Sequence, residues 1–209
     1  MSLTTYRIDR EGSDRLLFLF HGYSAEQHHL AAYVPLIDPD ERFTAICPRA
    51  INDLREGDGA SWFTIGEDGF EPASFVEAVD VLRAFVAEEA GAAGVPLERC
   101  VLGGFSQGGY LALALAGHRD APAYGGVWAM CCGLGDIDGL ETDFTPGARR
   151  PALIQYGTRD PFIPAEATKG AADALSAAGW QVQLEAYDMD HSQRLEMMID
   201  AREFLANIS

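Results

Sequence analysis

Ser106 lies between two glycines in Gly104-Phe105-Ser106-Gln107-Gly108, a match to G-x-S-x-G. Cys100, Val101 and Leu102 begin a short apolar run that reads as a buried parallel strand. Tyr110 to Ala116 is Ala/Leu-rich and reads as a buried helix. Between strand and helix the pattern makes a strained elbow: the serine takes an unfavourable backbone conformation at the tip of a turn, and glycines on either side avoid a Cβ clash. Free N–H groups and the helix dipole favour a developing negative charge at that tip. A hydroxyl placed there is positioned to attack a carbonyl.

A serine hydroxyl is a poor nucleophile until a base takes its proton, and histidine is the usual base near neutral pH. Of the five histidines, His28 and His29 fall within an early helix and His118 follows the helix behind Ser106. His21 ends the early strand, where its ring is expected to hold the loop. Only His191 lies in a loop after the last predicted strand, the place that the chain order serine, acid, histidine requires. The imidazole needs an acceptor to fix its tautomer. Asp160 fits, in a tight turn between Gly157 and Pro161 just past a strand end. Asp188 and Asp190 are rivals by proximity, although a residue adjoining the histidine has difficulty turning its carboxylate onto that ring. Oxyanion donors are expected from the N–H of Gln107 and from that of Tyr23 or its neighbour, with Gly22 allowing close approach.

The elements that must position these groups alternate along the chain. Tyr6 to Ile8 reads as an edge strand. Leu16 to Phe20 is a continuous apolar run typical of a strand covered on both faces, followed by a helix over Ala25 to Ile37. Phe43 to Cys47 is the next strand. The long loop from Arg49 to Glu71 carries Trp62, Phe63, Ile65 and Phe70 and reads as a pocket wall. Pro72 opens an amphipathic helix with Phe75, Val79, Leu82 and Val86 on one face. After the elbow come a strand over Gly125 to Cys132, a second loop with Leu134, Leu140 and Phe144, and a strand over Pro151 to Tyr156. The chain ends with a helix from Pro164, an edge strand over Gln181 to Tyr187, and a helix carrying Leu195, Met198, Ile199 and Leu205. Such alternation predicts an α/β fold with a mostly parallel central sheet and helices on both faces. One domain over residues 1–209 is expected, with no separate lid domain.

With 48% hydrophobic residues, the chain can bury one good core. Thirty-two acidic against 15 basic residues give a formal net charge of −17, and Lys169 is the only lysine. Without a basic cluster a nucleic-acid partner is not expected, and neutral or cationic substrates suit the surface better than acidic ones. No secretory signal is evident before Leu16, and no apolar run approaches the ~20 residues that span a bilayer. A soluble, cytoplasmic protein without stable membrane insertion is expected. Cys47, Cys100, Cys131 and Cys132 lie in or beside strands, with no spacing that suggests a metal site, and read as small buried residues. Neighbouring Cys131 and Cys132 should point to opposite sides of a strand.

Five motifs in this order resemble the phospholipase/carboxylesterase family of α/β-hydrolases, which includes small bacterial carboxylesterases and acyl-protein thioesterases: Phe20-His21-Gly22, Trp62-Phe63, Gly103 to Gly109, Gly157 to Pro161 and Met189 to Ser192. The resemblance covers nearly the whole chain. It implies a lidless serine hydrolase with Ser106, Asp160 and His191 as its triad and no cofactor, acting as a monomer or homodimer. Two departures stand out: Cys131-Cys132-Gly133 where relatives commonly have Ser-Gly, and Asp190 where they favour glycine. The leading expectation is cleavage of a small-molecule carboxylic ester of a short- to medium-chain acyl group through an acyl-enzyme, with Trp62, Phe63, Leu134, Phe144 and Phe162 forming an apolar acyl pocket. Alternatives are an acyl thioesterase or lysophospholipase with the same triad, and a non-catalytic ligand-binding protein on the same fold.

Overall fold

The computed structural model describes residues 3–55, 59–67 and 69–208. A seven-stranded sheet runs through it, formed by β1 (Thr5–Ile8), β2 (Leu16–Phe20), β3 (Thr44–Pro48), β4 (Cys100–Phe105), β5 (Gly126–Met130), β6 (Pro151–Gly157) and β7 (Gln181–Tyr187). The spatial order is β1-β3-β2-β4-β5-β6-β7. Only β1 is antiparallel to its neighbour; the remaining pairs are parallel.

Side chains alternate across a strand, so one apolar run feeds two cores. Leu16, Phe18 and Phe20 of β2 pack on one side with α3 (Pro72–Ala93), α4 (Gln107–Gly117) and α5 (Ala165–Ala177). Leu17 and Leu19 face the other side, against α1 (His28–Ala31), α2 (Val34–Ile37) and α6 (Leu195–Ala206). Cys131 and Cys132 also divide between the two cores, although both lie past the end of β5 rather than on a strand, and Cys131 has a positive φ. The mostly parallel sheet with helices on both faces is the expected architecture. The elbow strand β4 is central, which brings the ends of its neighbours to Ser106.

Three local expectations need correction. The single helix expected over Ala25 to Ile37 is two short ones, α1 and α2, because Pro35 sits in the first turn of α2 and its ring cannot continue a helix from upstream. In α6 the buried face is Met197, Met198, Ala201, Phe204 and Leu205, whereas Leu195 is 60% exposed at the first turn. The long loop from Arg49 to Glu71 folds into two short antiparallel ladders, Asn52–Asp53 with Ala60–Ser61 and Ile65–Gly66 with Gly69–Phe70. Its residues 56–58 and 68 lie outside the described residues. No helix is long and apolar enough to cross a membrane among the described residues.

Candidate active site

β4 delivers Ser106 to the N-terminus of α4 with φ 52° and ψ −119°, a strained region for a residue with a Cβ. The surrounding backbone holds it there: the Ser106 N–H donates to the Met130 carbonyl at 2.9 Å, and Tyr110 N–H donates to the Ser106 carbonyl at 3.0 Å. Both flanking glycines are needed for close approach. A Cβ on Gly104 would meet the Gly108 carbonyl carbon at 2.2 Å, and one on Gly108 would meet the Phe20 carbonyl oxygen at 1.9 Å.

His191 Nε2 lies 2.9 Å from Ser106 Oγ, and its Nδ1 lies 2.6 Å from Asp160 Oδ2. The other Asp160 oxygen accepts the N–H groups of Phe162 at 2.9 Å and Ile163 at 3.0 Å, so this carboxylate is held from both sides. Its side chain is 2% exposed and that of His191 15%. Two backbone hydrogen bonds tie the loops carrying these groups together, from Thr158 N–H to the Tyr187 carbonyl and from Arg159 N–H to the Met189 carbonyl. Gly157 permits that contact, since a Cβ there would stand 2.5 Å from the Met189 oxygen. Both rival carboxylates are engaged elsewhere: Asp188 pairs with Arg159 at 2.6 Å, and Asp190 accepts the Ser192 hydroxyl at 2.6 Å. That hydroxyl holds the Asp190 carboxyl below its usual range.

The first N–H groups of a helix have no intrahelical acceptor, and Gln107 opens α4. Across the cleft, the Ser24 N–H is taken up by the Ala60 carbonyl at 3.0 Å. Tyr23 itself lines the cleft with Ser106 and Gln107. The His21 ring donates from Nδ1 to the Gly22 carbonyl and accepts the Ala50 N–H at Nε2. Burial pushes its pKa down to about 4, so the ring is neutral and holds the loop, as expected.

The Gln107 side chain had no role in the sequence reading. Buried beneath the elbow, its Oε1 accepts the Trp62 N–H at 3.0 Å and its Nε2 donates to the Phe63 carbonyl at 2.9 Å. The Trp62 indole N–H in turn reaches the His21 carbonyl at 2.8 Å. One side chain thus clamps the aromatic loop to the elbow. Gln107→Leu keeps the Gln107 backbone N–H but strands the buried Trp62 N–H, while the Phe63 carbonyl keeps the Ser61 hydroxyl at 2.7 Å; it is expected to lower the unfolding free energy by about 1–3 kcal/mol. Urea denaturation of the two proteins checks this; equal stabilities would mean that the clamp is dispensable.

An apolar cleft of about 480 Å³ opens over Ser106 and His191, walled by Tyr23, Ile65, Phe70, Tyr110, Phe162 and Ile163. Phe162 is 73% exposed at the rim and stands edge-on to the His191 ring, centroids 5.4 Å apart. The other four aromatic and aliphatic candidates are elsewhere. Trp62 and Phe63 are fully buried behind the wall, Phe63 packing on Phe70 and Phe75, because the Gln107 clamp turns them into the core. Leu134 is half-buried against the α3-side core. Phe144 packs over Gly117, where a Cβ would meet its ring at 2.5 Å. Tyr110 was findable, since it lies one helical turn beyond Ser106 on the same face. Ile65 and Phe70, on the loop read as a pocket wall, do line the cleft, and they are cross-strand partners in one ladder.

Two further recesses share walls with the cleft. One of about 370 Å³ meets it at Phe70 and Tyr110 and carries Asp136 and Asp138. The other, about 430 Å³, meets it at Tyr23 and Ile65 and carries Asn52, Ser61 and Thr64. Among the described residues, neither Lys nor Arg lines any of the three.

A family model described as Phospholipase/Carboxylesterase matches residues 8–209. Acyl-protein thioesterase 1 of Candida albicans is 28% identical over 163 residues, 71% of this chain and 68% of that protein. In structure the chain is similar to a Bacillus cereus carboxylesterase (TM-score 0.84, 18% identity, 99% of this chain and 95% of that one). It is also similar to esterase PE8 (TM-score 0.85, 22% identity, all of both chains).

Proposed function

Because this chain belongs to the phospholipase/carboxylesterase family, we propose that it hydrolyses carboxylic esters of short- to medium-chain acyl groups through an acyl-enzyme on Ser106. His191 Nε2 takes the Ser106 proton as Oγ attacks the ester carbonyl, and Asp160 steadies the imidazolium that results. The N–H groups of Gln107 and Tyr23 receive the tetrahedral oxyanion, each worth about 10²–10³ in rate. His191 then returns the proton to the leaving alkoxide as the C–O bond breaks. Water, deprotonated by the same nitrogen, releases the acid. The observation that carries this reading is the unbroken row of Ser106, His191 and Asp160 at 2.9 and 2.6 Å, seated on a strained elbow.

Acyl length follows from the walls. The flanking recesses interrupt their apolar walls, Pro72 and Ile137 on one side and Leu54 and Phe63 on the other, with Asp136 and Asp138 or with Asn52, Ser61 and Thr64. A long chain would have to run across groups that prefer water. Thioester cleavage is the second reading, favoured by the likeness to an acyl-protein thioesterase. No observation favours a non-catalytic binding role.

Treatment with a fluorophosphonate is expected to leave one phosphonyl adduct, on the peptide bearing Ser106, by mass spectrometry. An unlabelled Ser106 in folded protein overturns the proposal. Matched esters and thioesters then separate the two readings: kcat/KM should favour the ester and fall by at least about tenfold between hexanoyl and palmitoyl. A preference for the thioester would establish the alternative.

A further inference from the structure

Cys131 immediately follows β5 and takes a positive φ of 49°. Its Sγ, a carboxylate oxygen of Asp160 and a ring nitrogen of His191 all lie within 4.8 Å of one another. No Cys/His spacing in the sequence announces this cluster, because its members come from the ends of β5, β6 and β7, which only the parallel sheet brings side by side. Thiolate, imidazole and carboxylate together form a donor set suited to Zn²⁺ and similar cations. Metal–ligand bonds of about 2.0–2.3 Å place such donors roughly 3.3–3.8 Å apart in a tetrahedron, so Sγ, within 4.8 Å of the others, lies in reach, while His191 Nδ1 and Asp160 Oδ2, 2.6 Å apart, must part by under about 1 Å to admit the ion.

We propose that Cys131, Asp160 and His191 Nδ1 form an inhibitory site for a thiophilic divalent cation, Zn²⁺ or Cd²⁺, with water as the remaining ligand. Bonds form from the metal to Sγ, to Nδ1 and to a carboxylate oxygen of Asp160. The S–H bond breaks and its proton goes to solvent. Nδ1 gives up its own proton to bind the metal, and the neutral imidazole carries its one hydrogen on Nε2 instead. That nitrogen then donates towards Ser106 Oγ and has no lone pair left to accept the serine proton. The metal therefore leaves the nucleophile in place and removes its base. Burial, with Asp160 and Asp190 nearby, raises the Cys131 thiol to about 12, so only a cation with strong affinity for sulfur displaces its proton. The site is covered: the Asp160 side chain is 2% exposed and Cys131 is fully buried. Entry requires the His191 loop to shift, which gives slow-onset inhibition.

Binding does not depend on the hydrolase reading, whereas inhibition does, so the two are measured separately. Metal-free protein titrated with Co²⁺ as a spectroscopic probe is expected to develop a near-ultraviolet thiolate-to-cobalt band at one equivalent. Micromolar Zn²⁺ should abolish ester hydrolysis over time, with recovery on adding EDTA. Cys131→Ser and Cys131→Ala should keep the basal rate, lack the band and need at least about tenfold more Zn²⁺ for the same inhibition. Cys132→Ser, on the opposite face, should behave like wild type. Equal Zn²⁺ sensitivity in wild type and in folded Cys131 variants overturns the proposal, as does absence of the band. A band that forms while hydrolysis continues at full rate overturns the inhibitory role and leaves the metal site. Failure of metal-free protein to hydrolyse any ester counts against the hydrolase reading, with the cobalt band still deciding the site.

Discussion

Ser106→Ala is expected to lower kcat for p-nitrophenyl butyrate by about 10⁵-fold or more, to a rate set by the remaining oxyanion donors and substrate binding. The prediction is specific because the substitution removes one atom with one partner: Oγ is hydrogen-bonded to His191 Nε2. Alanine also accepts the backbone at φ 52° no worse than serine, and the Met130 and Tyr110 hydrogen bonds involve only main-chain atoms. Circular dichroism and melting temperature should therefore match wild type closely. A folded variant retaining more than a tenth of the wild-type rate would move the nucleophile elsewhere.

Gly108→Ala is expected to have the largest effect on the fold. Its Cβ would stand 1.9 Å from the Phe20 oxygen, 2.4 Å from the Phe20 carbonyl carbon and 2.7 Å from the His21 oxygen. All three are backbone atoms of the neighbouring strand end, so no rotamer change relieves the clash. The start of α4 would have to lift off the sheet, emptying core contacts made by a helix whose residues are almost all buried. A loss above about 4 kcal/mol, set against total stabilities of about 5–15 kcal/mol, predicts protein that is insoluble or melts at least about 8 °C lower. Gly170→Ala is the control: an exposed position in α5 with nothing within 4 Å of the added carbon, where alanine should be neutral or stabilising by up to about 1 kcal/mol. Similar melting temperatures for the Gly108 variant and wild type would show that the strand and helix can part without cost.

The sheet and the convergence of Ser106, Asp160 and His191 were legible because they rest on residue types that tolerate few other readings. Unbroken apolar runs such as Leu16 to Phe20 mark strands covered on both faces, and the serine between two glycines, a common turn by itself, drew its reading from the aspartate and histidine that follow it in order. The choice of Asp160 over Asp188 and Asp190 had a local steric reason, to which the structure adds the partners Arg159 and Ser192 that occupy the rivals. The cleft walls were legible only in part: the loop read as a pocket wall does supply Ile65 and Phe70, but not Trp62 and Phe63. Whether Trp62 and Phe63 face ligand or core is decided by two hydrogen bonds from Gln107, 44 and 45 positions away in sequence, and no pattern within the loop records that. Phe144 likewise depends on the space above Gly117, and the break between α1 and α2 turns on Pro35 within an otherwise helical apolar pattern.

The Gln107 clamp divides the cleft into parts with different freedom to diversify. Trp62 and Phe63 are fully buried and held by their main chain to the side chain of Gln107, next to Ser106, so an exchange there disturbs the core beneath the elbow. Phe162 and Ile65, exposed at the rim and outside that tether, can be traded one at a time. Descendants with new acyl preferences should accordingly differ at the lip and stay constant beneath it, and a directed library confined to those two positions should retain far more working enzymes than one that includes the buried pair.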